Sequence, residues 1–578
     1  MAYRPQWLMA LTQKYFTRTI SQFILHGNIS DFVRTEEADG KIHYLKFKDY
    51  LTQYVFKKRN IVIAYDRASG ITFRDHEIRK DFTSVFMPNY DLLNGTNFTK
   101  NPPNDPAVTF AILETYFMTR LHQDKKVALI IEYAETLIPM GNSNVYSAQD
   151  RAMLVFFQRW AKESLFLNSD MTTIIIAENV TDLNQQVVRN PYVCEIDVPY
   201  PDENERLLFI QYFISQNPKL TEKLEMTVEV LTKNTAGLNL VQLKTTLAEI
   251  LEGDHIYTFE ELSRRKKEII ETEAGGLLEF VETKFNLDAV AGHVMAKKHL
   301  RSAAAAIKKG RQDVMPMGYL VNGPVGTGKT FMVSCFAADI GVPMVSLKNF
   351  RSQWQGVTES NLEKVLKLLK AMSPVAVMID EADAYLGNRN QSGDSGVSSR
   401  VFSMIASFMS NTENRGQIIW FLLTARPDLM PIDLKRQGRA EEHIALFYPE
   451  TVEERKELLA VMLRKTKLKE LKPEDFSDEF FQNLKIVSGA DMEAALTRAK
   501  FKAASLDLET VTTQIITETF DDFIPPSYPE EVELMNYVAV LECTSKELLP
   551  ERFREISRDE VLRRIRQIKS RMNGGLAD

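Results

Sequence analysis

Apolar positions along this chain gather in short unbroken runs, and the most prominent of them end at polar or glycine-rich corners. Tyr319-Leu-Val321 leads into glycines at 323, 326 and 328, and Val375-Ala-Val-Met-Ile379 ends in Asp380 and Glu381. Ile418 to Leu423 ends in Thr424-Ala-Arg426, and Val127-Ala-Leu-Ile-Ile131 ends in Glu132. Runs of this length bounded by turn signals predict strands buried on both faces, as in a parallel sheet between helices. Helical periodicity starts at Lys329. It recurs as a charged amphipathic helix from Phe259, leading to Gly275-Gly276. After the break Ile524-Pro-Pro-Ser-Tyr-Pro529 two helical stretches follow. In the last, Val561, Leu562, Ile565, Ile568 and Met572 share one face, with Arg563, Arg564, Arg566, Lys569 and Arg571 around the other. That pattern fits a docking helix with a solvated basic face, or one that meets nucleic acid or an acidic partner.

With 578 residues the chain is about four times a typical domain length of roughly 150, so several modules are expected. The 71 Lys and Arg against 78 Asp and Glu give a net charge of -7, the wrong sign for a surface that tracks phosphate backbones throughout. Cys194, Cys335 and Cys543 lie far apart with no CxxC spacing, which supports neither a disulfide framework nor a zinc site and points to a reducing compartment. No apolar run approaches the roughly 20 residues of a membrane span, and the start lacks a cleavable leader pattern, so the expected localisation is cytoplasmic.

The chemistry is densest after the Tyr319 strand. Gly323, Pro324, Val325, Gly326, Thr327, Gly328, Lys329 and Thr330 match the phosphate-binding P-loop pattern completely. The glycines let successive N–H groups converge on one phosphate chain, and the helix that follows adds its dipole. Lys329 is expected to reach the β- and γ-phosphates and Thr330 to ligate Mg²⁺. About fifty residues on, Asp380 is expected in the Mg²⁺ shell and Glu381 beside the attacking water, which makes this a Walker B strand. Asp383 reads as structural or solvated.

From about Phe285 to Asp522 the chain resembles the AAA ATPase clade that includes katanin and related protein remodellers. The matching segments are Ala289-Val-Ala-Gly292, the P-loop, the Walker B strand, Leu423-Thr-Ala-Arg-Pro-Asp-Leu-Met430 as sensor 1, Leu434-Lys-Arg-Gln-Gly-Arg439, and Ser488-Gly-Ala-Asp491 as sensor 2. The resemblance implies that Val290, Ala291 and Gly292 line the adenine pocket, that Ala490 lies in the sensor-2 turn, and that Arg436 and Arg439 are arginine fingers acting on a neighbouring subunit. An arginine finger is worth roughly 10³ to 10⁵ in rate in GTPases. The sequence departs at sensor 1, where the clade's polar Asn is Ala425. Thr424 stands beside it as a substitute for orienting water, and slow hydrolysis is expected. Trp354, Gln355 and Gly356 fall where the clade carries its first pore loop; a Trp packed as core is the alternative. Gly387 to Ser399 falls where the second pore loop would be, or is a plain surface loop.

An internal echo precedes this module. Tyr133 and Glu381, and likewise Pro201 and Pro449, are offset by 248 residues, yet no GxxxxGK[ST] occurs before residue 127 and Glu132-Tyr133 replaces the carboxylate pair. Thr235-Ala-Gly-Leu-Asn-Leu240 and the helical run after it would be its lid. This arrangement is similar to a tandem AAA family of cyanobacteria, other bacteria and plastids. The expected α/β organisation is a degenerate AAA-like module with lid at 1–258, a linker helix at 259–283, an AAA large subdomain at 284–448, a helical lid at 449–522 and a helical extension at 523–578. The resemblance implies ATP and Mg²⁺ as cofactors, and a homo-oligomer, a hexamer-like ring or open spiral, that remodels or threads a protein partner. An ATP-switched scaffold with slow turnover is the alternative; a nucleic-acid motor or loader is disfavoured by the charge.

Overall fold

The computed structural model describes residues 4–36, 40–86, 105–141, 146–309, 311–348, 358–386, 397–484, 488–524 and 528–574. The chain divides into two compact units, Met1–Ala274 with Glu359–Ala371, and Gly275–Thr358 with Met372–Asp578.

The first unit holds strands β1 (Gln22–Gly27), β2 (Phe32–Glu36), β3 (Ile42–Lys46), β4 (Ile61–Asp66), β5 (Gly70–Phe73), β6 (Val127–Ile131), β7 (Met171–Ala177) and β8 (Val193–Val198). Its main sheet runs β5-β4-β6-β7-β1-β8, parallel except for β5, while β2 and β3 form a separate hairpin. The apolar runs of β6 and β7 are buried along their whole length because helices cover both faces. One face packs Phe110, Tyr116 and Trp160, and the other packs Trp7, Phe23 and Tyr50. Helices Glu203–Gln216, Val228–Asn234, Leu240–Glu252 and Phe259–Glu273 follow the sheet. The last of these was expected as a linker over 259–283. Instead Leu262 is fully buried in one core with Phe209, Leu231 and Leu243, so the charged face seen in the sequence is only the solvent side of a packed helix. Truncating Leu262 to Ala is expected to cost about 2–5 kcal/mol.

The second unit contains β9 (Leu278–Phe280), β10 (Gly318–Asn322), β11 (Met344–Leu347), β12 (Val375–Ile379), β13 (Ile418–Thr424) and β14 (Glu442–Ala445), in the order β14-β10-β13-β12-β11-β9. Only β9 is antiparallel, and it begins this unit ahead of the expected boundary at 284. The lid comprises helices Val452–Lys465, Asp478–Gln482, Gly489–Ser505 and Thr513–Asp522 around Leu459, Phe481, Met492 and Ile516. The chain then returns to the sheet. Helices Pro529–Glu542 and Arg558–Gly574 pack Leu534, Val538, Val561, Ile565 and Ile568 against Ala445 and Phe447 at the β14 edge. The apolar face of the last helix is therefore its docking face; on the basic side Lys569 donates to Asp428 at 2.9 Å and Arg563 to Glu560 at 3.5 Å.

The echo at residues 201 and 449 has a local cause. Each proline precedes a helix opened by a capping box, Asp202 with Glu205 and Thr451 with Glu454, in which the cap side chain and the carboxylate of the third helical residue satisfy each other's free amides.

Candidate functional site

Strand β10 lies between β13 and the edge strand β14, so its C-terminal corner is flanked by strand ends on both sides. The loop that leaves it needs glycine at specific points. Gly323 has φ 136°, and a Cβ there would lie 2.0 Å from the Leu446 carbonyl oxygen; Gly326 has φ 79°, and a Cβ would lie 2.9 Å from the Ser488 side chain. Helix Lys329–Ile340 starts directly after Gly328. The cradle is thus a bare-backbone concavity closed by a helix N-terminus, which suits phosphate oxygens.

The charged side chains converge on that cradle. Lys329 Nζ donates to the carbonyls of Gly323 and Pro324, both at 2.8 Å. Burial pushes its pKa down to about 8, against the pull of Asp380 and Asp383. Thr330 Oγ1 donates to Asp380 Oδ2 at 2.8 Å, and the backbone N–H of Glu381 donates to Asp380 Oδ1 at 2.9 Å. Glu381 holds a left-handed φ of 48°, a strained state for this residue type. Hard oxygen donors from Thr330 and Asp380 beside a lysine fit Mg²⁺ on a phosphate chain, so the residues present suit the group. At the end of β13, Thr424 Oγ1 donates to Asp383 at 2.6 Å and accepts from the Arg426 N–H at 2.9 Å. Its only proton is therefore committed to Asp383, and Asp383 has a structural role.

Two cavities meet here. One, of about 660 Å³, is lined by Lys329, Thr330, Asp380, Glu381, Ala425 and Ala490. The other, of about 400 Å³, is lined by Val290, Ala291, Gly292, Tyr448, Leu458 and further residues, and both include Gly326, Gly328, Phe331 and Gly489. The dimensions and chemistry of the pair fit a nucleotide, phosphates in the first and base in the second.

His293, Tyr448 and Glu457, not singled out for the site from the sequence, join the expected Gly292 on the base side. Gly292 and His293 are consecutive left-handed residues, at φ 61° and 49°. The Gly292 N–H donates to Glu457 of the lid at 2.9 Å. His293 Nε2 meets the Thr327 carbonyl at 3.1 Å, so that nitrogen carries the proton, and burial lowers the pKa of the ring and favours its neutral form. Tyr448 donates to the Val325 carbonyl at 2.6 Å. The sequence resemblance implies Val290, Ala291 and Gly292 at this pocket, whereas nothing local in the sequence pointed to His293, Tyr448 or Glu457.

Arg436 and Arg439 line neither cavity. Arg439 is tied locally, its Nε donating to Ser410 at 2.6 Å and its Nη1 to the Asp433 carbonyl at 2.7 Å. Arg436 is exposed and takes no partner among the described residues. Trp354, Gln355 and Gly356, and most of the second candidate pore loop at 387–399, lie outside the described residues. Among the described residues no helix is long and apolar enough to cross a membrane.

Family comparisons agree with this geometry. Residues 319–448 match the model of the ATPase family associated with various cellular activities (AAA). Residues 2–199 match the AAA+ chaperone N-terminal Rossmann-like domain, and 204–275 the AAA+ chaperone second helical domain. The chain is similar to the uncharacterized AAA domain-containing protein ycf46 of Trieres chinensis, 27% identical over 61% of this chain and 75% of that protein. It is similar to the peroxisomal ATPase PEX6 of Kluyveromyces lactis, 23% identical over 62% of this chain and 38% of that protein. The cell division cycle protein 48 homolog of Archaeoglobus fulgidus is 26% identical over 56% of this chain and 48% of its own length.

Proposed function

Because this chain belongs to the AAA ATPases, a family of ATP hydrolases, we propose that its second unit binds and hydrolyses Mg-ATP, that copies assemble into an oligomer, and that turnover remodels a protein partner. The observation that carries the reading is the meeting of Lys329, the Thr330–Asp380 pair and Glu381 at the glycine cradle that ends β10.

Lys329 would leave the carbonyls of Gly323 and Pro324 to offset phosphate charge. Thr330 and Asp380 would hold Mg²⁺, which when bound neutralises charge on the β- and γ-phosphates. Glu381 would accept the proton of the attacking water. Arg436, exposed and without a partner among the described residues, is suited to reach a neighbour's γ-phosphate, whereas Arg439 is engaged in holding its own loop. The first unit has no lysine or glycine cradle after β1 and would contribute no hydrolysis. AAA relatives named as peroxisomal and cell-division-cycle ATPases support the remodelling class, and the partner here is a matter for experiment.

One observation favours a second reading, an ATP-switched scaffold with slow turnover: the Ala425 side chain offers no hydrogen bond to water, and the Thr424 proton already belongs to Asp383. ATPase rate against protein concentration, with light scattering, tests both. A specific rate that rises with assembly supports the motor. A negligible rate at every concentration, with ATP still bound, supports the scaffold. No ATP binding at all overturns both.

A further inference from the structure

The base-side cavity has a third wall that does not belong to the P-loop subdomain or to the lid. Leu548, Leu549, Pro550, Glu551 and Arg554, from the C-terminal extension, line it alongside Val290–Gly292. The segment is anchored on both sides. Before it, the Thr544 N–H donates to the His443 carbonyl at 3.3 Å and the His443 N–H donates to Thr544 Oγ1 at 3.0 Å, which fastens the segment to β14. Leu548 is 8% exposed and shares a core with Val290, Leu287 and Tyr319. After it, Phe553 packs 5.5 Å from Phe447, and Arg552 pairs with Glu450 at 2.6 Å.

This anchoring leaves one side chain underused. Arg554 is half-buried, and its Nε donates to the Leu549 carbonyl at 3.0 Å, which fixes the root of the guanidinium. Among the described residues its two terminal nitrogens take no partner. It is the one permanently charged cation on this cavity's wall among the described residues, since the other basic group, His293, is shifted by burial toward its neutral form. A planar guanidinium held at its root beside the Val290–Gly292 and Leu548 walls can lie against the face of an aromatic base, gaining cation–π and stacking energy, while Glu450, Glu454 and Glu551 line the same cavity.

We infer that Arg554 contacts the purine base of the bound nucleotide, so that the C-terminal extension, not only the lid, sets nucleotide affinity. This rests on the nucleotide-binding reading above. Phosphate contacts belong to the P-loop, whereas Arg554 acts only on ligands that carry a base.

The test is calorimetric titration of the full-length chain with Mg-ATP, Mg-ADP and inorganic tripolyphosphate, for the parent, Arg554→Ala and Arg554→Lys. Arg554→Ala is expected to weaken ATP and ADP about tenfold and leave tripolyphosphate unchanged. Arg554→Lys, which keeps charge but loses the plane, should fall between. In turnover the KM for ATP should rise with kcat held. Unchanged ATP affinity in Arg554→Ala overturns the assignment, and so does an equal loss for tripolyphosphate, which marks a fold defect instead of a lost base contact. A parent that binds neither ATP nor tripolyphosphate sinks the nucleotide reading itself, a result distinct from both.

Discussion

The two units build the same sheet and finish it differently. Strands β4-β6-β7-β1-β8 of the first correspond in order to β11-β12-β13-β10-β14 of the second, and each sheet has one antiparallel strand at the β4 or β11 edge. The likeness extends to strained corners. Tyr133 after β6 and Glu381 after β12 are both left-handed, at φ 53° and 48°. Gly27 at the end of β1 and Gly323 just after β10 both have positive φ and both face a carbonyl at the end of the neighbouring strand, where a Cβ would lie 2.7 Å from Val198 O or 2.0 Å from Leu446 O. Beyond that glycine they part. The second unit continues as a glycine cradle and a helix, and the first as Asn28-Ile-Ser-Asp31 and a hairpin.

Asp31 shows what the difference does. Its carboxylate accepts from the N–H groups of Leu240 and Val241, each at 3.0 Å, at the start of helix Leu240–Glu252. It also accepts from Asn28 Nδ2 and the Phe32 N–H, both at 2.8 Å. Burial raises its pKa to about 6 in spite of those four donors, so it is ionised at neutral pH. In the second unit the corresponding lid helix begins at Gly489 and opens onto the phosphate cavity. The lid helix that faces a cavity in one unit is met by the chain's own carboxylate in the other. Backbone architecture and nucleotide chemistry are therefore separable: the sheet needs only apolar runs and corner glycines, whereas the site needs specific groups after one strand.

The sharpest test of this comparison is Lys329→Ala in the full-length chain. It should abolish measurable ATP binding by calorimetry, since the first unit has no cradle to bind a second equivalent, while Glu381→Gln keeps ATP and stops turnover. Residual high-affinity ATP in Lys329→Ala would place a working site in the first unit and break the contrast.

Next in size is Arg436→Ala, expected to lower turnover roughly 10³-fold with ATP still bound. Mixing it with Glu381→Gln protein should restore part of the activity, because each variant supplies what the other lacks. Dead mixtures in assemblies shown to be mixed would mean that the arginine acts within its own subunit.

Asp31→Ala should destabilise the first unit by about 2 kcal/mol, because two helix-terminal amides lose their acceptor in a buried setting. Hydrogen exchange at Leu240 and Val241 should quicken, with ATP affinity unchanged. Unaltered exchange would show that the carboxylate does not hold the helix.

The smallest effect is in pH. Lys329, with a pKa near 8 in the free protein, must be charged to meet phosphate, and bound phosphate raises its pKa. Below pH 8 the proton is already present and affinity should be flat. Above pH 8 binding takes up a proton, so affinity should fall as pH rises, by up to tenfold per unit. Calorimetry in buffers of different ionisation enthalpy reads that proton uptake directly, and its absence at pH 9 would argue that Lys329 is charged throughout.

The sequence by itself determined what is written in contiguous residues. The cradle from Gly323 to Thr330, the Asp380-Glu381 corner and the repeated offset of 248 are local patterns whose chemistry follows from spacing, and the parallel sheets agree with them. That helix Phe259–Glu273 packs its apolar side on Phe209 and Leu243 was not legible, because a half-charged helix has the same pattern whether that side meets water or a core. Tertiary structure alone brought Asp31 to Leu240, Glu457 to Gly292 and Arg554 to the base cavity. Each of those pairings joins segments far apart in the chain, and which distant segment fills a corner depends on how whole layers pack, a property that no local run of side chains encodes.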